Sequence, residues 1–128
     1  MVEIPADQEV IARQIVDAAF TVHSTLGPGL LESVYEQCLA HELRLRNLRV
    51  DRQIALPVRY KDIQLDAGLR LDALVEASVV VEIKAIERIL PVHEAQILTY
   101  LKLAQKHLGL LINFNVPLIK DGIRRFVR

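Results

Sequence analysis

The chain has 128 residues, 52% of them hydrophobic, and 16 basic residues balance 16 acidic ones to a net charge of zero. That length allows one domain around one core, and the apolar share argues against disorder. Neutrality argues against a strongly basic nucleic-acid coat protein without excluding a locally basic face. The single cysteine, Cys38, excludes an internal disulfide and any multi-cysteine zinc site, and it fits a reducing compartment.

Asp7 is expected to cap a first helix after Pro5. Ile11, Ile15, Ala18, Ala19 and Val22 then recur at helical spacing as one apolar stripe, followed by His23, read as a capping or packing residue. Leu26-Gly27-Pro28-Gly29 breaks the helix. A second helix is expected from about Leu30 to Arg46, with Leu31, Val34, Cys38 and Leu45 on its buried face and Tyr35 and Leu39 beside them. Glu32 opens this helix, where an acid suits the helix dipole without any further role. The opening Met-Val-Glu-Ile-Pro-Ala-Asp has no basic region followed by an apolar run, and no apolar run is long enough to span a membrane, so a soluble cytoplasmic protein is expected.

From Leu48 the period changes. Val50 to Tyr60 reads as extended, with Pro57 marking an edge or a break, and Ile63-Gln64-Leu65 as a further short strand. Leu69 to Val75 and Val79 to Ala85 read as two strands of a hairpin around Glu76-Ala77-Ser78. Alternation puts Glu82 and Lys84 on one face, and Asp72 with Leu74. A three-residue turn sets Asp72 directly opposite Glu82, about 5 Å apart at Cβ. A two-residue turn slips the register and dissolves the patch. Opposed carboxylates are unfavourable unless compensated, and a hard divalent cation such as Mg²⁺ is the obvious compensator. The plainer alternative is a solvated face with a Glu–Lys pair.

A third helix is expected from about Val92 to Lys106 after Pro91, with Ile97, Leu101 and Ala104 inward and Gln96 and Tyr100 as neighbours on one face. Leu108 to Phe114 reads as a central strand buried on both faces, and Gly122 to Val127 as a closing strand. The element order describes an α/β or α+β domain: a central mixed β-sheet flanked by helices.

Gly29-Leu30-Leu31-Glu32-Ser33-Val34-Tyr35 fits the pattern of the GxxExxY proteins. Asp72, Glu82-Ile83-Lys84 and Gln96-Ile97-Leu98-Thr99-Tyr100 resemble the Asp, (Asp/Glu)-x-Lys and Gln-x-x-x-Tyr motifs of the PD-(D/E)XK nuclease-like superfamily. The resemblance runs from about Ile11 to Arg125, and only the proline before the first acid is missing, Leu71 standing there. It implies one nuclease-like domain over residues 1–128 with a restriction-endonuclease-like core. It also implies metal-binding carboxylates at Asp72 and Glu82, joined by the carbonyl of Ile83 and supported by Glu32, often through water. Lys84 then orients or activates the attacking water, and Gln96 and Tyr100 brace the site and contact substrate.

The implied activity is Mg²⁺- or Mn²⁺-dependent hydrolysis of phosphodiester bonds in nucleic acid, with DNA the expected substrate. Candidates for phosphate contact are Lys120, Arg124, Arg125 and Arg128, and Arg44, Arg46, Arg49 and Arg52. A neutral domain of this size would need a second copy to hold duplex DNA, so a homodimer is an expectation too. The competing reading is a catalytically silent module of the same fold that binds nucleic acid or a protein partner.

Overall fold

The structure, a computed structural model, describes residues 2–128. Two helices lead, α1 (Ala6–Leu26) and α2 (Glu32–Leu45), then five strands, β1 (Val50–Ala55), β2 (Val58–Tyr60), β3 (Ile63–Leu65), β4 (Arg70–Val75) and β5 (Val79–Lys84). Helix α3 (Pro91–Ala104), β6 (Leu108–Asn113), a 3₁₀ turn (Ile119–Gly122) and β7 (Ile123–Val127) follow. The main sheet has the order β1-β4-β5-β6-β7, and β2 and β3 form a separate ribbon. Only β5 and β6 run parallel, with α3 as their crossover, so the sheet is mixed.

Layering follows from the residues. Every residue of β6 is buried, as are the first five of β5, because helices cover both faces of the sheet. One core joins α1 and α2 to Val75, Val79, Val81, Ile83, Leu110 and Ile112. A smaller core on the opposite face joins Tyr100 and Leu101 of α3 to Leu71 and Val80. Gly109 lets α3 come close: a Cβ there would meet Ile97 Cδ1 at 3.1 Å.

Several local expectations shift. Pro5, not Asp7, stands at the start of α1, and Asp7 lies in the first turn, where its charge favours the helix dipole. The extended stretch from Val50 breaks at Pro57 into β1 and β2, since proline cannot donate to the ladder. Helix α2 buries Tyr35, Glu36, Leu39, Ala40 and Leu43, while Leu45 is 64% exposed and Leu31, just before the helix, 74%. Its buried face is rotated from the expected one because Glu36 faces inward. Two hydrogen bonds from Arg52 to Glu36 Oε2, at 2.7 and 3.1 Å, and one from Gln53 to Oε1, at 2.8 Å, satisfy that carboxylate. Helix α3 ends at Ala104 because Gln105 takes a left-handed conformation, φ 56°.

Candidate functional site

The hairpin turn between β4 and β5 holds three residues. Val75 pairs with Val79, Leu74 with Val80 and Ala73 with Val81. The next step of the register brings Asp72 to Glu82, and there the ladder gives way to side chains. Asp72 N–H donates to Glu82 Oε1 at 3.2 Å, and Ile83 N–H donates to Asp72 Oδ2 at 2.8 Å. Beyond this point β4 continues along β1 through Leu71 and Arg70, while β5 continues along β6 to Lys84 opposite Asn113. The sheet therefore forks between its two chemistry-bearing strands, with one carboxylate on each side of the fork.

The other neighbour of Asp72 is irregular as well. Gln53 stands opposite it in the β1–β4 register with φ 52°, a left-handed backbone in the middle of a strand. Its side chain donates to Glu36, and its carbonyl accepts from Arg70 Nη1 at 3.4 Å. Strain of this kind is tolerated where surrounding contacts over-determine it.

Electrostatics follow from burial. Glu82 is only 4% exposed, which excludes the solvated-face alternative. Burial first, and then the negative charge of Asp72, push its carboxyl up to about 9; Lys84 offsets this only in part. No N–H of the protein donates to Glu82 Oε2 or Asp72 Oδ1, and the protonated Glu82 carboxyl shares its proton with Asp72. Two hard oxygen donors on one patch, one from a carboxyl that holds its proton in the absence of a countercharge, suit a divalent cation that keeps most of its waters. A cation there would replace that proton.

Lys84 is half-buried at the end of β5, and among the described residues no carboxylate pairs with its ammonium. Asn113 fixes the chain around it. Asn113 Oδ1 accepts from Ile86 N–H at 3.1 Å and Nδ2 donates to the Ile86 carbonyl at 2.9 Å, and Phe114 N–H donates to the Lys84 carbonyl at 2.9 Å. On α3, Gln96 Nε2 donates to Tyr100 Oη at 3.0 Å. Burial, and after it the charge of Glu82, raise the Tyr100 hydroxyl above its usual range, which places Tyr100 within electrostatic reach of the pair.

Glu32 is the outlier. It is exposed at the first residue of α2, and among the described residues no group of three or more His, Cys, Asp or Glu gathers as a metal cage. Tyr35, three residues on, is wholly buried. It donates to the Gly27 carbonyl at 2.6 Å, accepts from Leu30 N–H at 3.1 Å and stacks on Phe114 at 4.6 Å. The tyrosine of the Gly29-to-Tyr35 motif thus anchors the α1–α2 loop that leads into Glu32 at the start of α2.

Residues 9–126 match the sequence profile of the PD-(D/E)XK nuclease superfamily. The chain belongs to that superfamily. No curated protein and no solved structure matches it. Membership accounts for the restriction-endonuclease-like architecture, in which a five-stranded mixed sheet lies between helices. Sequence reasoning overlooked Glu36, Gln53 and Asn113 beside this site. A signal existed for Glu36, which lies one turn after Glu32 and directly follows Tyr35.

The phosphate-contact candidates fare less well. Arg46 pairs with Asp17 and Glu42, Arg49 with Asp51, Arg52 with Glu36, Arg124 with Glu94 and Arg125 with Glu9. Arg44 donates to the Val50 carbonyl at 2.8 Å. Lys120 and Arg128 remain without such a bond among the described residues. Arg46, Arg52, Arg124 and Arg125 tie one element to another, whereas the Arg49–Asp51 pair is local to the start of β1 and exposed.

Proposed function

We propose that the chain is a divalent-metal-dependent nuclease of the GxxExxY group, cleaving phosphodiester bonds in nucleic acid, DNA foremost, as one cytoplasmic domain over residues 1–128. The observation that carries this reading is the fork: Asp72 N–H donates to Glu82 Oε1 and Ile83 N–H to Asp72 Oδ2, which sets the two carboxyls side by side, with Lys84 following on the same face as Glu82. Asp72, Glu82 and the Ile83 carbonyl would hold Mg²⁺ or Mn²⁺, with Glu32 acting through water. Such an ion, when bound, lowers the pKa of a water molecule and offsets charge on the phosphate.

The remaining chemistry belongs to side chains of this chain. The Lys84 ammonium, unpaired, donates to the non-bridging phosphate oxygens and orients the attacking water. A positive donor of this kind is worth about 3–4 kcal/mol, so Lys84→Ala is expected to slow cleavage by about 10²–10³-fold. Gln96 holds Tyr100 Oη, and the pair on α3 closes the site from the side opposite the carboxylates' own strands. Among the described residues no helix is long and apolar enough to cross a membrane, in keeping with a substrate met in solution. A second copy would double the cationic surface offered to a duplex.

The test is incubation of the purified protein with single- and double-stranded DNA and RNA in Mg²⁺ or Mn²⁺, against EDTA and Glu82→Ala. Cleavage lost in both controls supports the reading, and cleavage that survives Asp72→Asn and Glu82→Gln refutes the site. One observation favours the silent binding module: most of the candidate phosphate-binding arginines are engaged in ion pairs. Absence of both metal binding and cleavage in a folded sample would select that reading.

A further inference from the structure

Helix α1 turns Ile15, Ala18, Ala19 and Val22 toward the sheet. Its opposite face carries Val10, Arg13, Asp17 and Phe20, spaced to lie along one side of the helix. Val10 is 48% and Phe20 43% exposed. The same four residues border a groove of about 910 Å³ that extends to Leu110, Ile123 and Arg125 of β6 and β7. Arg13 makes no ion pair among the described residues. Asp17 meets Arg46 through Oδ2 and remains largely exposed, with its other oxygen free.

Read from either end, this stripe is its own complement: apolar, charged, oppositely charged, apolar. A two-fold axis passing beside Ile15 would set Val10 against Phe20 of the partner subunit and Arg13 against Asp17 of the partner subunit. The same contacts repeat on the other side of the axis, as an isologous interface requires. Antiparallel helices packed at a shallow angle keep such positions in contact over the length involved, about 15 Å of helix. A nucleic acid would call for one sign of charge along the stripe, and this one carries both.

We infer that the outer face of α1 is a self-association surface, with a second copy of this chain as its occupant. The inference deepens the homodimer part of the functional reading and rests on it. The carboxylate pair lies with Val80 and Tyr100 on the α3 side of the sheet, so pairing through α1 leaves both sites open. A contact of this extent lies at the small end of specific interfaces, which gives a monomer–dimer equilibrium that moves with concentration.

The experiment is sedimentation velocity across a concentration series, with thermal melting to verify folding. Arg13→Asp and Asp17→Arg are each expected to weaken self-association about tenfold or more, since each sets like charges together twice. An equimolar mixture of the two variants is expected to form a heterodimer of about wild-type strength, because both crossed pairs become attractive again. Val10→Glu disturbs no ion pair and supplies the same readout if Asp17→Arg loses stability with its Arg46 contact. A wild-type dimer indifferent to Arg13→Asp and Val10→Glu overturns the surface and spares the dimer. A wild-type chain monomeric throughout overturns both. Cleavage, assayed separately, reports on the nuclease reading alone.

Discussion

Glu82 is a carboxyl placed where its charge is unwelcome. The fold holds its proton up to about pH 9, whereas the unfolded chain releases it near 4.5. Between those values the native state binds the extra proton, so stability falls as pH rises through the window. Without metal, wild-type protein is expected to lose stability of the order of a few kcal/mol between pH 5 and pH 9 from this group alone. Glu82→Gln should flatten that slope, as urea melts in EDTA at the two pH values would report. A cation at the pair replaces the proton, so binding should tighten with rising pH and release protons to the buffer.

At the scale of elements, the turn between β4 and β5 sets the site. The equal distance of Asp72 and Glu82 from its two ends, more than its composition, places them side by side. Deleting Ala77 would leave a two-residue turn that still pairs Val75 with Val79 and keeps Asp72 beside Glu82, whereas deleting the strand residue Ala73 would move Asp72 one step along and send it to the other face. Loss of metal binding in the second variant and not in the first, followed by isothermal titration with circular dichroism to check folding, is the expected outcome. The strands, the turn and the inward face of α3 were legible because period and punctuation carry them. The buried face of α2 was not, because Glu36 breaks the apolar pattern and its partners Arg52 and Gln53 are remote in sequence. Arg52→Ala would strand that carboxylate and is expected to cost about 2 kcal/mol, less than a fully buried pair because Arg52 is partly exposed; a denaturant melt measures it.

Across the whole molecule, five of the 16 basic side chains are held in ion pairs among the described residues. Arg125 ties β7 to Glu9 of α1, and Arg124 ties it to Glu94 of α3, so the edge strand is fastened to a helix on each face of the sheet. The other eleven of the 16 basic side chains, Lys84 and Lys120 among them, make no ion pair among the described residues and are left to meet a polyanion. Duplex binding in EDTA should therefore weaken with salt by a log–log slope of about −0.9 for each phosphate they neutralise, and Lys120→Ala should make it shallower by about 1. Fluorescence anisotropy over a salt series would measure it. The order of elements along the chain was legible from pattern alone. The forking of the sheet was not, since it depends on which neighbour each half of β4 and β5 keeps, and no local pattern encodes that choice.

The fork also equips the main chain with a gauge of its own occupancy. The Asp72 and Ile83 amide protons end on carboxylate oxygens where their strand neighbours end on carbonyls. Whatever draws those oxygens away, by charge or by geometry, slackens both amides at once and leaves Val80 and Val81 untouched. Isotope exchange or amide shifts at just those two positions should therefore register an arriving ion before any nucleic acid is offered.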